Sequence, residues 1–342
     1  MSEYKVYMLP KYMNGNKYIE LLVDSLEAKG VQVEHFSKKK IGTIKKGDVL
    51  HFHWPSFHYR GSNIFKTGIK TAAFLLSLFF LRMKGIKVVW TVHNLWPHST
   101  GKNKFDKIVR TLLSSLCTKQ IVMGNAVKSE LVNLFNANEQ KVVLIPHGHY
   151  KDVYKSKGIN VREKFGIPED AYIYAFFGQI SPYKGIDRLL KSFAEVSDKQ
   201  SHLLIAGRNS ADFDVSVFDH LTDNVHVSLG YIEDNELVDY INIVDSIILP
   251  YKDITTSGTA ILALSYSKPV VAPDIGLLRE YLGPGCAVLY DAGDEDGLRK
   301  AMLEVREKRE KFRDSNAFNE KLKELDWSRI SDLTLRAYKS AY

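Results

Sequence analysis

Apolar and polar positions alternate in two registers along the first half of the chain. Short β-branched and aromatic runs at 4–9, 31–36, 49–53, 87–93, 120–123 and 142–145 read as strands. Helix-length segments with apolar residues three and four apart lie between them at 19–29, 65–83, 104–116 and 127–135. Strand and helix alternating along the chain predict a parallel, doubly wound sheet. The pattern restarts, with strands at 172–177, 202–206, 225–227, 246–249, 269–271 and 287–289 and helices at 186–196, 234–243 and 259–265. The stretch 150–168 is polar with no periodic apolar face and is expected to be a linker. Residues 294–323 are dense in charge at helical spacing, and Trp327, Ile330, Leu333, Leu335 and Tyr338 mark a last helix. The expected domains are 1–152 and 153–325, with 326–342 a helix packing back on the first. In such α/β domains ligands bind beyond the carboxyl ends of the strands.

The length of 342 residues suits two domains, and 45% hydrophobic with 25% charged residues is the composition of a globular chain. Cys117 and Cys286 stand alone, without a CxxC pair or a histidine cluster, so neither a disulfide framework nor a zinc site is expected. MSEYKVYMLP carries no charged-then-apolar leader, and a cytoplasmic location is expected. Charge is divided unevenly. Residues 1–150 hold 22 Lys+Arg against 9 Asp+Glu (+13), leaving 25 against 31 (−6) for the remainder. A basic half attracts polyanions: nucleic acid, anionic lipid head groups or a phosphate-bearing substrate. The longest apolar run, 71–81, lies between Lys66, Lys70 and Arg82, Lys84, Lys87. It is shorter than the roughly 20 residues that span a bilayer, and it suits a helix lying in the interface or a buried crossover helix.

Three features carry candidate chemistry. In Tyr174-Ala-Phe-Phe-Gly-Gln-Ile-Ser-Pro-Tyr-Lys-Gly-Ile186 a strand breaks at Gly178, and Lys184-Gly185 precede a helix. An ammonium beside a helix start can hold a diphosphate. In Ser246-Ile-Ile-Leu-Pro-Tyr-Lys-Asp-Ile-Thr-Thr-Ser-Gly-Thr259 a second strand leads to a helix whose first residues are small and hydroxylated. Neither loop is a P-loop or a dinucleotide fingerprint. The third feature is histidine: His51, His53, His58, His93, His98, His147 and His149 cluster at strand ends of the basic half. No HExxH or His-plus-Cys spacing makes them a metal site. Hydrogen bonding to a sugar or phosphate, or proton transfer near neutrality, suits them better.

Taken together, several strings resemble the GT-B glycosyltransferases, and more narrowly the bacterial GDP-mannose:glycolipid 4-β-D-mannosyltransferases of xanthan type. They are Asp48-Val-Leu-His-Phe-His-Trp-Pro55, Thr91-Val-His-Asn-Leu-Trp-Pro-His98, Ile145-Pro-His-Gly-His-Tyr150, Phe177-Gly-Gln-Ile-Ser-Pro-Tyr-Lys-Gly185, Leu249-Pro-Tyr-Lys252, Thr256-Ser-Gly-Thr259, Lys268-Pro-Val-Val-Ala-Pro273, Gly283-Pro-Gly285 and Asp326-Trp-Ser-Arg-Ile330. The resemblance implies two Rossmann-like domains facing across a cleft, the acceptor in the first and the sugar nucleotide in the second. It implies a hexosyl transfer from GDP-mannose, with a UDP-sugar as the alternative, to a lipid-linked saccharide in exopolysaccharide, capsule or O-antigen assembly. No cofactor and no metal are expected. The partners are then a sugar nucleotide, a lipid-linked acceptor and the inner leaflet of the cytoplasmic membrane, not nucleic acid.

Departures from the family matter as much. The paired glutamates of retaining members are replaced by Ile254 and Leu262, which favours inversion. Ser99 stands where the subgroup often has Glu, and Ser181 where the family often has Arg. The expected roles are therefore His93 as base with His98 or His53 as alternates, and Asn94, Trp54, His147 and His149 on the acceptor side. Gly178, Lys184, Ser257, Gly258 and Thr259 would surround the donor diphosphate, and Tyr231, Glu233 and Asp234 the nucleobase and ribose. A nucleic-acid-binding protein, a sugar-nucleotide epimerase and a non-catalytic sugar-binding homologue are the rival readings.

Overall fold

The computed structural model describes residues 4–97, 100–252 and 256–340. They form two compact units, one of residues 1–148 with 324–342 and one of residues 149–323. Unit 1 contains β1 (Lys5–Leu9), α1 (Lys17–Ala28), β2 (Gln32–His35), β3 (Val49–Phe52), α2 (Ser56–Tyr59), α3 (Ile64–Met83), β4 (Lys87–Thr91), α4 (Lys104–Leu116), β5 (Lys119–Val122), α5 (Asn125–Phe135) and β6 (Val142–Leu144). Unit 2 contains α6 (Val161–Phe165), β7 (Tyr172–Phe177), α7 (Ile186–Val196), β8 (Ser201–Gly207), β9 (Val225–Leu229), α8 (Asp234–Ile243), β10 (Ser246–Ile248), α9 (Gly258–Ser265), β11 (Val270–Pro273), α10 (Gly276–Tyr281), β12 (Ala287–Tyr290), α11 (Gly297–Glu307), α12 (Arg309–Arg313) and α13 (Ala317–Glu324). The chain then returns to unit 1 as α14 (Trp327–Lys339).

Each unit has one six-stranded parallel sheet, ordered β2-β1-β3-β4-β5-β6 in unit 1 and β12-β11-β10-β7-β8-β9 in unit 2. Successive strands are joined through an α-helix except from β2 to β3 and from β8 to β9, and helices covering both faces explain why β4, β7 and β8 are buried along their whole length. The strand order reverses between β1 and β3 in one sheet and between β10 and β7 in the other. Such a reversal opens a crevice at the carboxyl ends of the two flanking strands.

The helix α14 completes unit 1. Asp326 caps it by accepting from the Ser328 and Arg329 amides, and Ile330, Thr334, Ala337 and Tyr338 are buried. It packs on α1, where Lys29 pairs with Asp332 at 2.5 Å. The Trp327 ring lies so close to Gly148 that a Cβ there would come within 2.2 Å of it.

Two expectations are corrected. The segment 150–168 is not a free linker: it packs within unit 2 and contains α6. The buried Asp239 carboxylate accepts from the Ser156 hydroxyl and from the Lys157 and Ile159 amides at 3.1 Å, while the Tyr150 amide donates to Ser265 Oγ. A polar sequence is thus held by hydrogen bonds instead of an apolar face. The second correction concerns α3. The apolar run 71–81 is part of a 20-residue helix long and apolar enough to cross a membrane. Thr71, Phe74, Leu78 and Leu81 nevertheless pack into unit 1. On the other side Ile64, Phe65, Ile69, Leu76, Phe79, Phe80 and Met83 are exposed, joined by Phe105, Ile108 and Leu112 of the adjacent α4. Of the flanking cations, Lys70 is engaged with the Phe57 and Arg60 carbonyls and Lys84 with those of Ile41 and Ile44.

Candidate active site

In unit 2 the two loops with expected phosphate chemistry leave β7 and β10, the strands flanking the reversal. They are tied to each other. The Lys252 amide donates to the Tyr183 carbonyl at 2.9 Å, and Thr259 Oγ1 to the Phe177 carbonyl at 3.2 Å. Gly185 has φ +71° and approaches so near that a Cβ would stand 2.1 Å from the Pro250 carbonyl oxygen, a backbone atom that cannot yield. Lys184 Nζ sits 3.8 Å from the centre of the Tyr251 ring, and the Tyr251 hydroxyl lies 3.4 Å from Ser257 Oγ. Ser257 caps α9 by accepting from the Ala260 amide. Lys184, Ser257, Gly258 and Thr259 are therefore brought together, with an ammonium beside the start of a helix. Gly178 is there too, but its amide donates to the Ala206 carbonyl, so what it offers a ligand is the lack of a side chain.

Tyr231, Glu233 and Asp234 lie at the carboxyl end of β9, on the same rim of the sheet and two strands from β7. The Tyr231 hydroxyl donates to Asp234 at 3.1 Å, and Glu233 begins α8. Tyr251 and Arg208, not expected from the sequence, also lie on this rim. Arg208 is exposed directly after the buried strand β8, a second cation on this rim where Ser181 withholds one. A buried strand ending in Gly-Arg was the available signal.

Unit 1 holds a cavity of about 340 Å³ lined by residues that include His53, Trp54, His93, Asn94, Trp96 and Arg110. His93 stacks on Trp54 with ring centres 4.3 Å apart. Behind it the imidazoles are linked. His53 Nδ1 lies 3.0 Å from His93 Nε2 and His53 Nε2 3.1 Å from Met8 Sδ. His51 bridges the Tyr338 hydroxyl at 2.6 Å and Thr91 Oγ1 at 2.7 Å. Burial holds His53 and His93 well below the ordinary imidazole value, with neighbouring imidazoles adding to it, and brings His51 down to about 3. All three are neutral at physiological pH.

Arg110, missed in the sequence, is almost wholly buried beside this cavity and donates to the Asn94 carbonyl at 2.6 Å. Among the described residues Trp90 Nε1, Trp96 Nε1 and Arg110 Nε, all on lining residues, have no partner in the protein. Unsatisfied buried donors suit an oxygen-rich ligand. The other expected acceptor residues do not line this cavity. His147 is buried against Tyr18, with ring centres 4.7 Å apart, and its Nδ1 lies 2.7 Å from the Gly148 carbonyl. His149 belongs to unit 2, where its Nδ1 accepts from the Lys151 amide. His98 and Ile254 lie outside the described residues, and Leu262 is buried inside α9. Among the described residues no group of three or more His, Cys, Asp or Glu could hold a metal ion.

Comparison with known proteins accords with this geometry. The family model "Glycosyltransferase Family 4" matches residues 15–150, and "Glycosyl transferases group 1" matches residues 159–323. A GDP-mannose:glycolipid 4-beta-D-mannosyltransferase of Xanthomonas campestris pv. campestris is 29% identical, over 96% of this chain and 89% of that one. A D-inositol 3-phosphate glycosyltransferase of Mycolicibacterium smegmatis is 28% identical over 65% of this chain and 52% of its own. Among solved structures, sucrose-phosphate synthase from Thermosynechococcus elongatus aligns with TM-score 0.75 and 17% identity over 98% of both chains. Anabaena HepE in complex with UDP aligns with TM-score 0.74 and 15% identity over 98% of this chain and all of that one. Two matching domain families, a relative along nearly the full length and two parallel sheets of the same fold agree: the chain belongs to the GT-B glycosyltransferases.

Proposed function

We propose that this enzyme transfers a hexose, with mannose from GDP-mannose the favoured donor, to a hydroxyl of a lipid-linked oligosaccharide with inversion at the anomeric carbon. Exopolysaccharide, capsule or O-antigen assembly is the setting that such an acceptor implies. The observation that carries the reading is the joining of the β7 and β10 loops, which puts Lys184 beside the start of α9 at the strand-order reversal. Lys184 and the first amides of α9 meet the charge that develops on the departing diphosphate, without a divalent metal. His93, neutral and lining the donor-rich cavity, takes the proton of the acceptor hydroxyl. The likeness to the Xanthomonas mannosyltransferase supports GDP-mannose, and a UDP-sugar is the alternative.

Thermal unfolding with GDP, UDP and their sugar conjugates tests the donor. A ligand at about 100 times its dissociation constant adds roughly 2.7 kcal/mol to the native state, so GDP and GDP-mannose are expected to raise the melting temperature by a few degrees. A rise with UDP compounds alone moves the donor class, and no rise with any nucleoside diphosphate removes the assignment.

The enzyme is proposed to work at the cytoplasmic face of the membrane, docked through unit 1. The exposed faces of α3 and α4, with Lys66, Arg82, Lys104 and Lys107 on the same two helices, have the mixed apolar and cationic character of an interfacial surface. Because Lys70 and Lys84 are engaged with carbonyls, the apolar side chains are the sharper test. Changing Ile69, Leu76 and Phe80 together to Ser is expected to abolish flotation with anionic vesicles; undiminished flotation would refute the surface.

A further inference from the structure

We propose that His53 is a positioning residue that holds His93 in one tautomer, with the proton on Nε2 and an unprotonated Nδ1, and that the Met8 thioether sets this order. The three residues lie on or directly beyond β1, β3 and β4, consecutive neighbours at the reversal of the unit 1 sheet. A neutral imidazole has one N–H, and a thioether sulfur can only accept. At 3.1 Å from Met8 Sδ, His53 Nε2 is therefore the protonated nitrogen. Its Nδ1 is left as an acceptor, and across 3.0 Å His93 must donate from Nε2. The basic nitrogen of His93 is thus Nδ1. His53 is fully buried, so water does not compete for either bond.

The catalytic half of this inference rests on His93 being the base. As the acceptor oxygen bonds to the anomeric carbon, the bond to the diphosphate breaks and its electron pair leaves with the diphosphate. The hydroxyl proton passes to His93 Nδ1. The imidazolium so formed keeps its Nε2–H bond to His53, now charge-assisted and stronger than in the ground state. His53 would then favour the transition state through His93 without touching substrate.

The test is a long-range ¹H–¹⁵N correlation spectrum of the full chain labelled at histidine, near pH 7.5, with His93 assigned through His93→Gln. His93 is expected to show a protonated-type Nε2 and a pyridine-type Nδ1. Met8→Leu should add the second tautomer to both rings. His53→Phe should lower kcat by about 10–100-fold with little change in the KM for sugar nucleotide, as loss of an orienting partner does. His53→Asn, whose Oδ1 can replace the accepting nitrogen, should recover most of that loss. A pyridine-type Nε2 on His93 in the wild type, or an unchanged His93 signature in both Met8→Leu and His53→Phe, overturns the proposal. The expected signature combined with wild-type turnover in His93→Gln overturns the base assignment and the catalytic half, and leaves the tautomer lock standing.

Discussion

Lys184→Ala is expected to lower turnover by about a hundredfold or more while leaving the fold intact, because one preorganised charge aimed at a leaving group is worth roughly 3 kcal/mol in a water-poor site. The fold should survive because the ammonium does not hold the loop. That task falls to Gly185 against Pro250, to the Lys252 amide on the Tyr183 carbonyl and to Thr259 on the Phe177 carbonyl, all of which the substitution leaves in place. What disappears is a cation stacked on Tyr251 beside the start of α9. The measurement is kcat alongside the melting temperature. Wild-type turnover in a folded variant would reject the phosphate role, whereas a lost fold would show that the stacking on Tyr251 is structural.

The second large effect is acid lability of unit 1. His51, His53, His93 and His147 are all held below the ordinary imidazole value, chiefly by burial, with His51 at about 3 and His147 at about 4. Such groups take up protons when the chain unfolds, so their contribution is fully present above about pH 6.5 and is lost as pH falls toward the folded values. Four imidazoles give a slope of about 5 kcal/mol per pH unit in that window. A domain of ordinary stability, about 5–15 kcal/mol, is exhausted within one to three units. Denaturant titrations at pH 7.5, 6.0 and 5.0 are expected to show the midpoint falling steeply below pH 6.5. A flat profile down to pH 5 would mean that these rings are hydrated and able to ionise in the native protein.

Much of the fold was legible because it rests on periodicity. The six residues of β7 are buried without exception and read as an unbroken apolar run. His51 and His53, two apart, share a face of one strand, and their joining with His93 follows from strand neighbours. Features resting on a hydrogen bond to a distant residue were not legible. Residues 150–168 looked like a linker because nothing local marks Asp239 as their partner. Lys70 and Lys84 counted as free cations because carbonyls 10 to 43 residues away claim them. Arg110 is an intermediate case. It shares the buried face of α4 with Asp106, and two charges four apart in an apolar stripe were a signal of a polar site. The loops after β7 and β10 were each legible as a strand leading to a helix start, but only the strand order reveals that they meet.

The late return of the chain to unit 1 has a consequence for how the protein is made. Residues 324–340 leave the ribosome after all 175 residues of unit 2, 149–323. Until then His51 has no Tyr338 hydroxyl, Lys87 no Tyr338 carbonyl and Gly148 no covering Trp327. The first unit to be synthesised is therefore the last that can be finished. During translation it waits without these contacts, and carries the aggregation risk of an unfinished domain until the last helix arrives.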